Sequence, residues 1–280
     1  VKRCESLVDL KRQLKWDDSI DRQDASTPWI DRCGTSILGY GVIVNELGVV
    51  KKILKHYEGK QTDLLAWRFS KEGVIEVGFT GHATCLHIAM SLTSSEVVVT
   101  LLEAGASVET RDIVGNDSFM LACGFGRFDN VQAWFQKYEN WDVNGRVNTF
   151  GSTALHLATY MSVNALKILQ YVVEKKGGRV DIPNAFGSVL LTTACSSEDA
   201  DPKIVRYLLE QQGEDVNYRM MPQTYKWKFI NMFLRLAKRS GVVRSKTVGY
   251  ITSNDGSTAL HYAVRRGDIE IVELLMESGA

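Results

Sequence analysis

One six-residue pattern, Thr-x-Leu-His-x-Ala, occurs three times in this chain. The copies are Thr84-Cys85-Leu86-His87-Ile88-Ala89, Thr153-Ala154-Leu155-His156-Leu157-Ala158 and Thr258-Ala259-Leu260-His261-Tyr262-Ala263. The last copy continues through Gly267-Asp268 into Ile271-Val272-Glu273-Leu274-Leu275. This reads as two short helices joined by a tight turn. Thr258 is a good N-cap, because its hydroxyl can pair with a backbone N–H left open at the helix start. Leu260, Ala263 and Val264 fall on one helical face. Gly267 can end that helix in a left-handed conformation, and Ile271, Val272, Leu274 and Leu275 form a second apolar face. A unit this small cannot bury its apolar face alone, so a stable chain must stack several copies.

With these residues, the chain resembles the ankyrin repeat family, whose pattern is Thr-Pro-Leu-His-x-Ala, then Gly-His, then Val-x-x-Leu-Leu, in about 33 residues. Aligning the start of the pattern gives positions 36, 84, 117, 153, 189 and 258, spaced 48, 33, 36, 36 and 69. The middle intervals match the family period, and the outer two carry extra residues. The first copy is degenerate, with Ser36 for Thr and Gly39 for His. The third has Asp117 and Met120 in those two places, and the fifth begins at Val189. No copy has the family's Pro. The resemblance implies an all-α solenoid of about six stacked helix–turn–helix units with β-hairpin-like finger loops. The array is expected to cover 32–280, with insertions at about 56–81 and 218–254. Residues 1–31 are expected to form a helix and loop, either a cap or part of an earlier repeat. An ankyrin repeat would normally run on beyond Ala280, so the chain is read as a piece of a longer one.

Charge excludes one class of partner. The 33 basic residues are balanced by 33 acidic ones, so the chain is not polybasic and no nucleic acid is expected to bind. No run of 18 apolar residues exists, so no membrane span is expected. The five cysteines are odd in number and form no Cys-x-x-Cys pair, which removes zinc and thioredoxin-like readings. Cys123 and Cys195 follow the helix Ala directly (Ala122, Ala194), a small core position. Buried thiols imply a reducing, intracellular and cytoplasmic setting. Gly-x-Ser-x-Gly, phosphate-loop and His-Glu-x-x-His patterns are absent. No cofactor, metal, small-molecule substrate or catalysis is expected.

Three groups of residues are candidates, the first two through the family resemblance. His87, His156 and His261 recur at one helix place, where the family uses His for structural hydrogen bonds between neighbouring repeats. The family binds partner proteins through finger residues before the Thr position and through residues late in the inner helix. Here those places hold Ile113, Val114, Phe125, Phe150, Tyr160, Met161, Phe186, Arg265 and Arg266. The family often has Asp where Val114, Phe150 and Phe186 stand. An apolar strip bordered by arginines suits a protein partner, although these side chains could instead pack on one another between fingers. The implied function is a scaffold or adaptor, or a regulatory segment of a larger enzyme or channel.

The third group is the later insertion, read from its own residues. It carries eight basic residues and no acid from Tyr218 to Asn254. Residues 224–239 make a plausible helix with Lys226, Trp227, Lys228, Arg235, Lys238 and Arg239. Its apolar side chains share one broad face, and Asn231 falls on the polar one. Three readings stand: a helix packed back on the array, a cationic amphipathic helix for an anionic membrane or a calmodulin-type partner, or a degenerate extra repeat.

Overall fold

Why the chain folds into helix pairs is visible at the helix starts. Ser36 accepts from the Gly39 N–H at 3.0 Å, and Asp117 accepts from the Met120 N–H at 2.9 Å. Asp201 accepts from the Lys203 N–H, with Pro202 at the first helical position. Each cap satisfies a donor that the helix itself leaves open. The computed structural model describes residues 36–59, 61–69, 81–161, 163–211, 215–240 and 256–280. The helix and loop expected at 1–31 lie outside these. Among the described residues the helices are α1 (Ile37–Ile43), α2 (Leu47–His56), α3 (Gln61–Ala66), α4 (Cys85–Leu92), α5 (Ser95–Glu103), α6 (Ser118–Gly124) and α7 (Phe128–Lys137). They continue with α8 (Ala154–Met161), α9 (Ala165–Lys176), α10 (Leu190–Ser196), α11 (Pro202–Leu209), α12 (Tyr225–Arg239), α13 (Ala259–Arg266) and α14 (Ile269–Glu277). No strand element occurs among the described residues, and the fold is all-α.

The chain divides after Trp141 into two units. In the first, inner helices α1, α4 and α6 stack in order, with outer helices α2, α5 and α7 stacked behind them. In the second, α8, α10 and α13 form the inner row, and α9, α11 and α14 the outer row. The core lies between the rows. It holds Leu38, Ile53, Leu86, Leu101, Phe119 and Trp134 in the first unit, and Leu155, Ile168, Leu190, Val205 and Leu275 in the second.

Two departures from the repeat pattern have a packing reason. Gly39 stands at the histidine place of the first repeat, and a Cβ there would overlap the ring of Phe69. Phe69, which follows α3, is buried, so the missing side chain makes room for this ring. In the third repeat, Phe119, Trp134 and Phe135 replace the usual leucines. Phe119 meets Phe135 edge-on at 5.3 Å, and Trp134 meets Trp141 edge-on at 4.9 Å. Cys85, Cys123 and Cys195 are buried, and burial pushes the Cys85 thiol up to about 12.

Candidate functional site

Two of the repeat histidines, His87 and His156, tie their inner helix to the following finger. The His87 Nδ1 accepts from the Thr84 N–H at 3.2 Å and lies 2.9 Å from the Thr84 hydroxyl. Its Nε2 lies 3.2 Å from the carbonyl of Asn116, which can only accept, so Nε2 carries the proton. His156 repeats this with Thr153, and reaches the Ser188 carbonyl at 2.9 Å. Protonating Nδ1 would set it against the Thr N–H. Burial, the larger cause, lowers His156 to about 4, partly offset by its bond to Ser188. His87 shifts the same way. His261 makes the Thr258 bonds but is exposed, and its Nε2 meets no carbonyl among the described residues. Each of the three rings is engaged by its own helix cap. Among the described residues no cluster of His, Cys, Asp or Glu could hold a metal ion.

The fingers share one turn. The Asp112 N–H donates to the Asn116 carbonyl, the Asn148 N–H to Ser152 and the Asn184 N–H to Ser188. Each tip is also closed by a side chain: the Asn148 Oδ1 accepts from the N–H groups of Phe150 and Ser152, and Asn184 does the same for Phe186 and Ser188. Asp112 serves Val114 and Asn116. Such Asx closures compete well with other backbone pairings. The fourth residue of each turn has a left-handed φ: 84° at Gly115, 69° at Gly151 and 84° at Gly187. Sequence reading did not separate out this Asx-x-x-Gly closure, though its 36-residue recurrence at Asn148 and Asn184 was there to find.

The same turn locates both insertions. The Phe69 N–H donates to Ala83, and the His82 N–H donates back to Phe69, with His82 itself at φ 68°. The Met220 N–H donates to Ser257, and the Gly256 N–H donates back to Met220, with Gly256 at φ 78°. In a regular finger two residues separate the corresponding pair, as Thr149 and Phe150 separate Asn148 from Gly151. In these two fingers residues 70–81 and 221–255 stand there instead. Each insertion therefore leaves and re-enters at a finger tip, and the helix stack behind it keeps its order: α10 packs on α13 across the longer one.

Helix α12 begins in that longer excursion. The Thr224 hydroxyl and carbonyl take the N–H groups of Trp227 and Lys228, and the Gln223 N–H donates to the Ala185 carbonyl of the neighbouring finger. Trp227 then meets Phe186 edge-on at 4.7 Å and Phe150 at 6.2 Å, while those two rings stack at 6.0 Å. Two aromatic finger residues are thus partly covered from within the same chain. The sequence wheel placed every apolar residue of α12 on one face and Asn231 on the other. The structure divides that face. Trp227, Ile230, Leu234 and Ala237 are half-buried around a buried Asn231, whereas Tyr225, Phe229, Met232, Phe233 and Leu236 are exposed. The docking edge is centred on Trp227, Asn231 and Leu234, at i, i+4 and i+7, because Trp227 is anchored by the finger rings. Lys226, Lys228, Arg235 and Arg239 are exposed, and the side chain of Lys238 lies outside the described residues.

The remaining sites are placed as follows. In the first unit, Ile113 is exposed, and Val114 and Phe125 are half-buried. In the second, Tyr160 and Met161, at the end of α8, are 55% and 57% exposed. With Val163 they line a cleft completed by Ser197 and Ile204. Arg265 lies over the Tyr262 ring at 4.8 Å, and the Arg266 guanidinium donates to the Glu198 carbonyl at 2.6 Å. Both arginines are exposed yet already engaged.

Sequence models of ankyrin repeats match residues 113–220, as a three-copy model, and 82–113 and 255–280, as single repeats. The chain belongs to the ankyrin repeat family. The matched segments stop at Met220 and resume at Asp255, which leaves the excursion bearing α12 outside the family pattern. The ankyrin fold is recovered independently. The ankyrin repeat domain of Bcl-3, described as a unique member of the IkappaB protein family, superposes with a TM-score of 0.56 at 24% identity, over 87% of this chain and 86% of that one. A probable E3 ubiquitin-protein ligase, XBOS32 of Oryza sativa subsp. japonica, is 26% identical over 205 residues. The match takes in 72% of this chain and 32% of the ligase, so the ankyrin array spans about a third of that relative's length.

Proposed function

We propose that this ankyrin array is an adaptor module that binds a partner protein, without chemistry of its own, through the end of α8. Ankyrin repeats generally bind other proteins, which supports the class of function. The observation that carries the site is the apolar cluster Tyr160, Met161 and Val163. Val163 is 95% exposed beside the half-exposed pair, and the three line one cleft. Contiguous large apolar side chains on a soluble surface mark interaction sites, and an aromatic anchor beside a cleft is typical of a hot spot. Phe150 and Phe186 are secondary, since Trp227 already lies on them. Ile113, Val114 and Phe125 belong to the first unit, where only Ile113 of the three is exposed. The partial match to a probable E3 ubiquitin-protein ligase is compatible with such an adaptor working as the recognition segment of a larger enzyme.

The test is affinity capture from cell extract with the unaltered chain, Tyr160→Asp/Met161→Asp and Phe150→Asp. Losing two hot-spot contacts should weaken capture by at least tenfold, from about 2 kcal/mol per anchor. The reading fails if the Tyr160/Met161 variant, folded by circular dichroism, recovers the same proteins in the same amounts.

A further inference from the structure

Helix α12 turns its broader apolar stripe to solvent. Tyr225, Phe229, Met232, Phe233 and Leu236 fall at i, i+4, i+7, i+8 and i+11, and every one is more than half exposed. Single exposed apolar residues are ordinary, but five on one stripe call for an occupant. The stripe runs about 16 Å along the helix at 1.5 Å per residue.

The occupant's chemistry is set by what borders the stripe. Lys226 lies on one flank, and Lys228, Arg235 and Arg239 lie on the other, all exposed. The Lys228 ammonium sits 5.5 Å over the Tyr225 ring, at the edge of the stripe. No acid occurs from Tyr218 to Asn254. A second copy laid on this stripe would bring cation against cation, which disfavours self-association. A partner that engulfs a helix is disfavoured too, because the opposite edge is held against the fingers through Trp227, with Asn231 buried beside it. What remains is a one-sided approach by something apolar in the middle and negative at both rims. No helix among the described residues is long and apolar enough to cross a membrane, so the helix would lie on a bilayer rather than span it.

We propose that α12 docks this ankyrin array on an anionic membrane surface. The stripe from Tyr225 to Leu236 enters the acyl boundary, and Lys226, Lys228, Arg235 and Arg239 reach the lipid phosphates, as cationic side chains with apolar stems do. The adaptor surface around Tyr160 is a separate feature, so either proposal can fail alone.

The experiment uses the whole 280-residue chain. It measures co-sedimentation with vesicles of phosphatidylcholine, with and without about one-third phosphatidylserine. Binding is expected only with phosphatidylserine, and should weaken as salt is raised. Phe229→Asp/Phe233→Asp should cost at least about tenfold, and Lys228→Gln/Arg235→Gln/Arg239→Gln a comparable factor. These positions are exposed, so far-UV circular dichroism should be unchanged. Should the aspartates disturb the helix, the glutamine variant still reads the flanking charge. Failure to bind phosphatidylserine vesicles overturns the proposal, as does binding that survives both variants. Absence of vesicle binding together with stripe-dependent self-association, or with stripe-dependent capture by calcium-loaded calmodulin, would reassign the stripe to a protein groove.

Discussion

At the scale of single residues, the repeat histidine is worth most as a neutral ring. His156 is held at about 4 against an ordinary 6.5, so the unfolded chain binds more protons between these values. The ring's contribution is therefore whole above about pH 6.5 and is lost as pH falls towards 4, by an amount of order 3 kcal/mol. Urea unfolding followed from pH 7.5 to 4.5 should show this fall, and His156→Gln should flatten it. Gly39 makes the opposite point, that an absent side chain can be the fitted one. Gly39→Ala should destabilise by about 1–3 kcal/mol through overlap with Phe69. A double-mutant cycle with Phe69→Ala should show most of that cost removed. The glycine itself was legible in the sequence. Its reason was not, because Phe69 lies 30 residues away and carries no periodic signal.

At the scale of elements, several repeat helices follow from sequence because cap and apolar period agree, as at Ser36, Asp117 and Asp268, whereas those after Glu46, Arg127 and Val189 start without a side-chain cap bond and rest on the apolar period alone. Helix α12 shows where that reasoning stops. Periodicity gave its length and its amphipathic character, but not which apolar arc faces the array. That choice rests on one contact, Trp227 against Phe186, between residues 41 positions apart. The tip geometry predicts that α12 is dispensable for folding. Replacing 221–255 by a two-residue tip such as Thr-Phe, as in the Asn148 finger, should leave a cooperatively folding array. Its melting temperature should lie within a few degrees of the full chain, the range of a change near 1 kcal/mol. A chain that melts broadly or aggregates after this exchange would show that the excursion is part of the core.

For the molecule as a whole, the sequence shows the all-α stack, since three near-identical helix starts admit little else. The candidate surface was legible only in part. The alignment pointed to Tyr160 and Met161, and both are exposed. It also pointed to Phe150 and Phe186, without the means to see that Trp227 would lie on them, or that Arg266 would hold the Glu198 carbonyl. Exposure is a property of what comes to lie beside a residue, and a repeat alignment is silent about segments outside the repeat.

The closed five-residue turn at each finger has a consequence for building with this scaffold. Its two ends are locked by a reciprocal pair of backbone hydrogen bonds and a left-handed residue, whatever joins them; Met220 with Gly256 shows the lock surviving 35 intervening residues. The ordinary tip at Ile113–Val114, whose Ile113 side chain is exposed, is then a splice point. A guest peptide or a small folded domain inserted there should be displayed at the rim of the array while the helices behind it stay in register.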